Sequence, residues 1–282
     1  MLTNSQILDM FNINSIIKKY PKSGQKQVFL VEDKDSQHVI LKLVEGKSER
    51  IKREIEIVTE NNFANVPSIK KIDMYSYDGQ KGIYIIEEYI EGVVLSDLIR
   101  DSKLSILEGI KLAEDILNVI VQLEEKMIVH RDIKPDNIIK SVEGDWYLID
   151  FGIARAMNME SLTMTEMKVG PHTPGYGAPE LFQYNKNDID SRADIFSLGV
   201  VLYQAIIGNH PFLRGDEWDR NEVWYRTVTV CPQDIIIEGD VDMLFIGLIQ
   251  TFMQKHISRR PNSAIKAKNW LDGVKETIMG EV

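Results

Sequence analysis

The chain has 282 residues, of which 44% are hydrophobic, enough for one large folded domain with a sizeable core. Its formal charge of −10 argues against general nucleic-acid binding, and its single cysteine, Cys231, excludes an internal disulfide and fits a reducing interior. No apolar run reaches the length of a membrane span, and residues 1–14 lack the basic start and cleavage pattern of a secretion signal.

In chain order, Val28–Val31 and Val39–Val44 are β-rich runs separated by a polar turn, which predicts a hairpin. Ser48 to Thr59 reads as a helix, because Ile51, Ile55 and Val58 recur at helical spacing. Tyr84 to Ile86 predicts another strand. From Ile106 to Met127 the positions Ile110, Ala113, Leu117 and Ile120 form the apolar stripe of a long amphipathic helix. Asp194 to Ile207 is apolar nearly all round and predicts a buried central helix. Trp218 and Trp224 read as core anchors rather than as stacking platforms for nucleic acid. Together these elements predict an α+β chain, β-rich to about residue 90 and mainly helical after it.

The run His130-Arg131-Asp132-Ile133-Lys134-Pro135-Asp136-Asn137 carries the strongest chemical signal. It puts a base, a cation and an amide ligand within eight residues, which suits phosphoryl transfer, a reaction that needs positioning and charge neutralisation more than covalent help. Asp132 would orient an attacking hydroxyl and take its proton. Lys134 would neutralise the moving phosphoryl group, and the Asn137 amide oxygen would hold Mg²⁺. Beyond it, Asp150-Phe151-Gly152 follows an apolar run and offers a second metal carboxylate at a strand end.

These runs resemble the H-R-D-x-x-x-x-N and D-F-G motifs of the protein-kinase family. Ala178-Pro179-Glu180, Asp194 to Gly199 and Arg260-Pro261 fall in that family's order, and the resemblance extends from about Val28 to Arg260. It implies a bilobal α+β kinase fold, an N-lobe over about 13–90 and a C-lobe over about 91–275, with residues 1–282 forming a single kinase domain. It also implies that Lys42, ending Val39-Ile40-Leu41-Lys42, contacts the α- and β-phosphates of ATP. Glu54, on the same predicted helix face as Ile51 and Val58, would pair with Lys42. Val28, Ile40, Glu88 and Ile139 would border the nucleotide, Glu88 opening the interlobe hinge, and Asn137 and Asp150 would hold Mg²⁺ or Mn²⁺.

The family's glycine-rich loop is altered: Pro21, Ser23 and Lys26 occupy its glycine positions, with Lys26 able to supply charge to phosphates. Ile40 replaces a small residue over adenine. Glu87 stands at the gatekeeper position, where a carboxylate needs Lys42 or a water as partner. Thr163 and Thr165 resemble an autophosphorylation pair, with Arg131 placed to receive the phosphate and a homodimer allowing transfer in trans. Thr173 would tie the substrate platform to Asp132 and Lys134, and Glu180 would form a buried ion pair with Arg260. Lys134, Thr173 and the A-P-E run imply a cytoplasmic Ser/Thr protein kinase acting on protein substrates, with no nucleic-acid or membrane partner. The altered loop, Ile40 and Glu87 raise one alternative, a pseudokinase or regulatory nucleotide-binding scaffold; a second, a small-molecule kinase, is disfavoured by the platform and Arg260.

Overall fold

The computed structural model describes residues 2–22, 26–45, 62–150, 175–183, 189–215, 219–232 and 235–280. Glu54, Phe151, Gly152, Thr163, Thr165, Thr173, Trp218 and the predicted helix 48–59 lie outside the described residues. The chain divides into two compact units, with the change between Glu91 and Gly92.

The first unit is a five-stranded antiparallel sheet of β1 (Ile13–Lys19), β2 (Lys26–Asp33), β3 (His38–Glu45), β4 (Ile69–Tyr77) and β5 (Gln80–Glu88), in the order β1-β2-β3-β5-β4. The predicted hairpin is β2–β3. Its turn closes on Asp33, whose Oδ1 accepts from the amides of Asp35 and Gln37. Alternation of side chains along each strand gives the sheet two different faces. One buries Phe29, Val31, Val39, Leu41 and Tyr84 under Ile7 and Phe11 of helix α1 (Asn4–Phe11). The Thr3 hydroxyl and Gln6 side chain reciprocally cap the start of α1. The other face holds Val44, Ile83 and Ile85, with Ile69 and Ile72 against them. Lys42 belongs to this second face by register, since it sits opposite Ile85 and two residues from Val44.

Lys26, which the resemblance places at the last glycine position, is the first residue of β2 and is paired with Val44. The β2–β3 ladder runs from Lys26↔Val44 to Glu32↔His38 without a register shift, so Lys26 is strand backbone.

The second unit is mainly helical. Its helices are α2 (Leu95–Asp101), α3 (Ile106–Glu125), α4 (Pro179–Gln183), α5 (Ser191–Ile207), α6 (Arg220–Thr229), α7 (Leu244–Phe252) and α8 (Ala264–Gly280). The buried stripe of α3 meets α5 and α8, and α5 is buried nearly all round, as its composition predicts. Gly199 lets α5 approach α7: a Cβ there would lie 2.8 Å from Phe252 Cβ. A small antiparallel sheet of β6 (Gly92–Val94), β7 (Ile138–Ser141) and β8 (Trp146–Leu148) completes the unit. Trp224 is not a core anchor. On α6 the buried positions are Val223 and Thr227, one turn apart, and this phase leaves Trp224 38% exposed with its ring beside Phe182.

Candidate active site

In the first unit, β3 and β5 bring two opposite charges together. Their antiparallel register sets Ile40 opposite Glu87 and Lys42 opposite Ile85, so Lys42 and Glu87 are diagonal neighbours on one face. Lys42 Nζ lies 2.5 Å from Glu87 Oε1, and both side chains are almost fully buried. Burial makes either charge costly alone and the pair tolerable. Val28, opposite Lys42 on β2, and Ile40 share this face and are half-buried. Glu88 points elsewhere: its Oε2 accepts from the Ser68 hydroxyl at 2.9 Å and the Ser68 amide at 3.1 Å.

In the second unit, the segment between α3 and β7 forms the other cluster. It is pinned from below by Asp194 in the first turn of α5. This fully buried carboxylate accepts from the amides of His130 and Arg131, each at 2.7 Å. The two bonds hold Arg131 in a left-handed conformation, with φ of 64°, and turn the chain toward Asp132. His130 Nδ1 accepts from the Asp132 amide at 3.2 Å, tightening the turn.

Pro135 then opens a single 3₁₀ turn, Pro135–Asn137, that leads directly into β7. Through it Asn137 folds back on Asp132. Its Nδ2 donates to the Asp132 carbonyl at 2.9 Å and to Asp132 Oδ2 at 3.1 Å. Lys134 Nζ lies 3.5 Å from the same Oδ2. Asp132, Lys134 and Asn137 therefore form one cluster, with Asp132 and Lys134 still partly open to solvent and Asn137 buried. With its nitrogen turned to Asp132, the Asn137 amide has its oxygen as the atom that could ligate a cation. The Asn137 carbonyl also accepts from the Ile149 amide at 2.8 Å, tying the chain just before Asp150 to this turn. Asp150 has φ of 68°, a conformation that redirects the chain after β8. Ile139, half-buried on β7, is paired with Val94 and Tyr147.

Farther along, Glu180 and Arg260 form the expected buried, two-pronged ion pair, at 2.6 and 2.9 Å. Arg260 also donates to the carbonyls of Arg192 and Gln254, and its guanidinium lies over the Phe196 ring. The segment entering α4 is held by Tyr176, whose hydroxyl donates to Gln204 at 2.6 Å and whose ring meets His210 edge-on. Burial pushes the His210 imidazole down to about 3.

Two roles escaped the sequence reading. Asp194 was recognised as part of a helix start, not as the anchor for the turn before Asp132; a buried acid in an apolar helix was the available signal. Lys255 was not singled out. Its Nζ is buried with no hydrogen-bond acceptor among the described residues and lies 3.7 Å from the centre of the Phe212 ring. Burial pushes it down to about 7.

The family described as a protein kinase domain matches residues 24–271 of the chain. A 169-residue stretch, 58% of the chain, is 34% identical to the probable serine/threonine-protein kinase PknB of Bifidobacterium longum, covering 24% of that protein. Serine/threonine-protein kinase 36 of Mus musculus is 33% identical over 212 residues, 73% of this chain and 15% of that protein. Serine/threonine-protein kinase AtPK2/AtPK19 of Arabidopsis thaliana is 27% identical over 275 residues, 92% of this chain and 55% of that protein. The chain thus spans less than two thirds of the length of each of these relatives, and the match that carries assignment is the one across residues 24–271: the chain belongs to the protein kinase domain family.

Proposed function

We infer that the chain is an ATP-dependent serine/threonine protein kinase, and that residues 1–282 act as one catalytic domain. The observation that carries this reading is the cluster of Asp132, Lys134 and Asn137 on a turn anchored by Asp194. Asp132 orients the substrate hydroxyl and accepts its proton as the oxygen attacks the γ-phosphorus. Lys134, beside the same carboxylate, offsets charge on the transferring group. Lys42 contacts the α- and β-phosphates. Val28, Ile40 and Ile139 supply apolar surface to the base, and Glu88 contributes through its backbone, its carboxylate being taken by Ser68.

The oxygen-only set of Asn137 and Asp150 suits a hard divalent cation, Mg²⁺ first and Mn²⁺ as a substitute. Held by Asn137 and Asp150, such a cation would supply positive charge to offset that of the phosphates. Glu54 would add a carboxylate near Lys42. The protein works in the cytoplasm on protein substrates and phosphorylates its own activation segment, in trans within a homodimer. Arg131 supports the last point: its Nε is buried with no acceptor among the described residues, so a phosphate on Thr163 or Thr165 would supply one.

The test is Asp132→Asn. Folding and nucleotide binding should persist while transfer of radiolabelled phosphate to a basic protein, with Mg²⁺ or Mn²⁺ supplied, falls by about two orders of magnitude or more. Phosphosite mapping by mass spectrometry should find Thr163 or Thr165 modified in the wild type and bare in the variant. Near-normal transfer by Asp132→Asn would reject the assignment.

A further inference from the structure

We propose that Glu87 is a positioning residue for Lys42, a counter-ion carried by the sheet itself that shares the lysine ammonium with the phosphates of the nucleotide. This rests on the reading of Lys42 as a phosphate-binding residue.

The placement is rigid. β3 lies between β2 and β5, and β5 lies between β3 and β4, so both residues sit on strands hydrogen-bonded on either side. The unshifted β3–β5 register leaves Glu87 as the diagonal neighbour of Lys42, and the two meet at 2.5 Å with side chains 5% and 10% exposed. A lysine ammonium has three donors, and one carboxylate oxygen occupies one of them. An ammonium fixed against Glu87 in this way keeps its direction when it meets phosphate oxygens.

The charge works in the opposite sense. A buried carboxylate against Lys42 cancels much of the field that an incoming polyanion would meet. Glu87 therefore fixes the ammonium for transfer and at the same time weakens nucleotide binding. A residue with a merely structural role would not separate these two effects.

The experiment compares wild type with Glu87→Gln, which keeps the shape and removes the charge. The variant should lower the melting temperature of the free protein, because the buried Lys42–Glu87 ion pair is lost, and bound ADP or the β,γ-imido analogue of ATP should restore more stability than in wild type. Affinity for the analogue, measured by calorimetry with Mg²⁺, should tighten by about tenfold. Phosphate transfer to a histone substrate should show KM for ATP reduced and kcat reduced by about tenfold or more. Glu87→Asp keeps the charge but retracts it by one methylene. It should leave KM for ATP near the wild-type value while lowering kcat, and it serves if Glu87→Gln does not fold.

Equal nucleotide-induced melting shifts in wild type and Glu87→Gln, with KM and kcat unchanged, would overturn the proposal. So would an unchanged kcat in Glu87→Asp. A wild type that binds the analogue but transfers no phosphate would instead overturn the kinase reading, and the melting and affinity measurements would still decide the role of Glu87.

Discussion

Asp194 shows how much of the candidate site depends on a single buried side chain outside it. Both of its carboxylate oxygens accept backbone amides, from His130 and Arg131, and the left-handed Arg131 directly precedes Asp132. In Asp194→Asn one amide N–H would face an NH₂ group instead of an oxygen. Leaving a buried donor without an acceptor costs about 1–3 kcal/mol. The variant should therefore lose stability by about that amount in urea denaturation. It should also lose phosphate transfer in excess of the unfolded fraction, since Asp132 would no longer be held in place. A variant with wild-type stability and wild-type transfer would show that the turn is fixed by other contacts. The contrast with Glu88 is instructive: that carboxylate is occupied by the Ser68 amide and hydroxyl.

Between elements, the Glu180–Arg260 pair does a comparable job. It joins α4, the carbonyl of Arg192 in α5 and the chain at Gln254 and Lys255. Removing one partner strands a buried charge, so Arg260→Ala should cost about 3–5 kcal/mol. The double change Glu180→Leu/Arg260→Met, which removes both charges, should recover a large part of that loss; urea midpoints for the single and double variants check this. A double variant as unstable as the single would place the cost in lost packing on Phe196 rather than in charge. This pair was legible in the sequence because its residues lie in recognisable runs. So were α3, α5 and the β2–β3 hairpin, whose periodicity follows from burial on one face or on all. The edge strands were not. β1 buries only Ile13 fully and β4 none of its residues, so neither shows the alternation that betrays a half-buried strand. Helix α1 escaped as well: in eight residues it buries only Ile7 and Phe11, too few to establish a helical period. Trp224 was misjudged for a related reason, since residue type suggested burial while the phase of α6 dictated exposure. The Lys42–Glu87 contact was half-visible: the need of Glu87 for a partner could be read, but choosing Lys42 required the strand register.

Among the described residues, two buried bases make stability depend on pH with the same sign. His210 is held near 3 in the folded chain against an ordinary 6.5, because burial disfavours the imidazolium. As pH falls below 6.5 the unfolded chain takes up this proton and the folded chain does not until about pH 3, so stability declines across that interval. The full loss at the acid end is on the order of 3–5 kcal/mol. Lys255 behaves likewise in a higher window: held at about 7 against an ordinary 10.5, chiefly by burial, it makes stability rise with pH between those values. Glu108, drawn down to about 2 by Lys140 and the Ser105 cap, adds acid sensitivity below pH 4.5, whereas buried Asp115, shifted upward, opposes it. The contributions separate by substitution. His210→Asn keeps an oxygen to accept the amides of Phe212 and Leu213, which His210 Nδ1 now accepts, but it cannot titrate. Its urea midpoint should vary less than that of wild type between pH 6.5 and 4.5, above the range where Glu108 protonates. Lys255→Met keeps the aliphatic stem over Phe212 and removes the ammonium. It should raise stability at pH 7 and flatten the rise between pH 7 and 9, with the advantage over wild type shrinking as pH increases. If both variants keep the wild-type slope in their respective windows, these two groups do not govern the pH response, and the burial of His210 and Lys255 is relieved by water in solution.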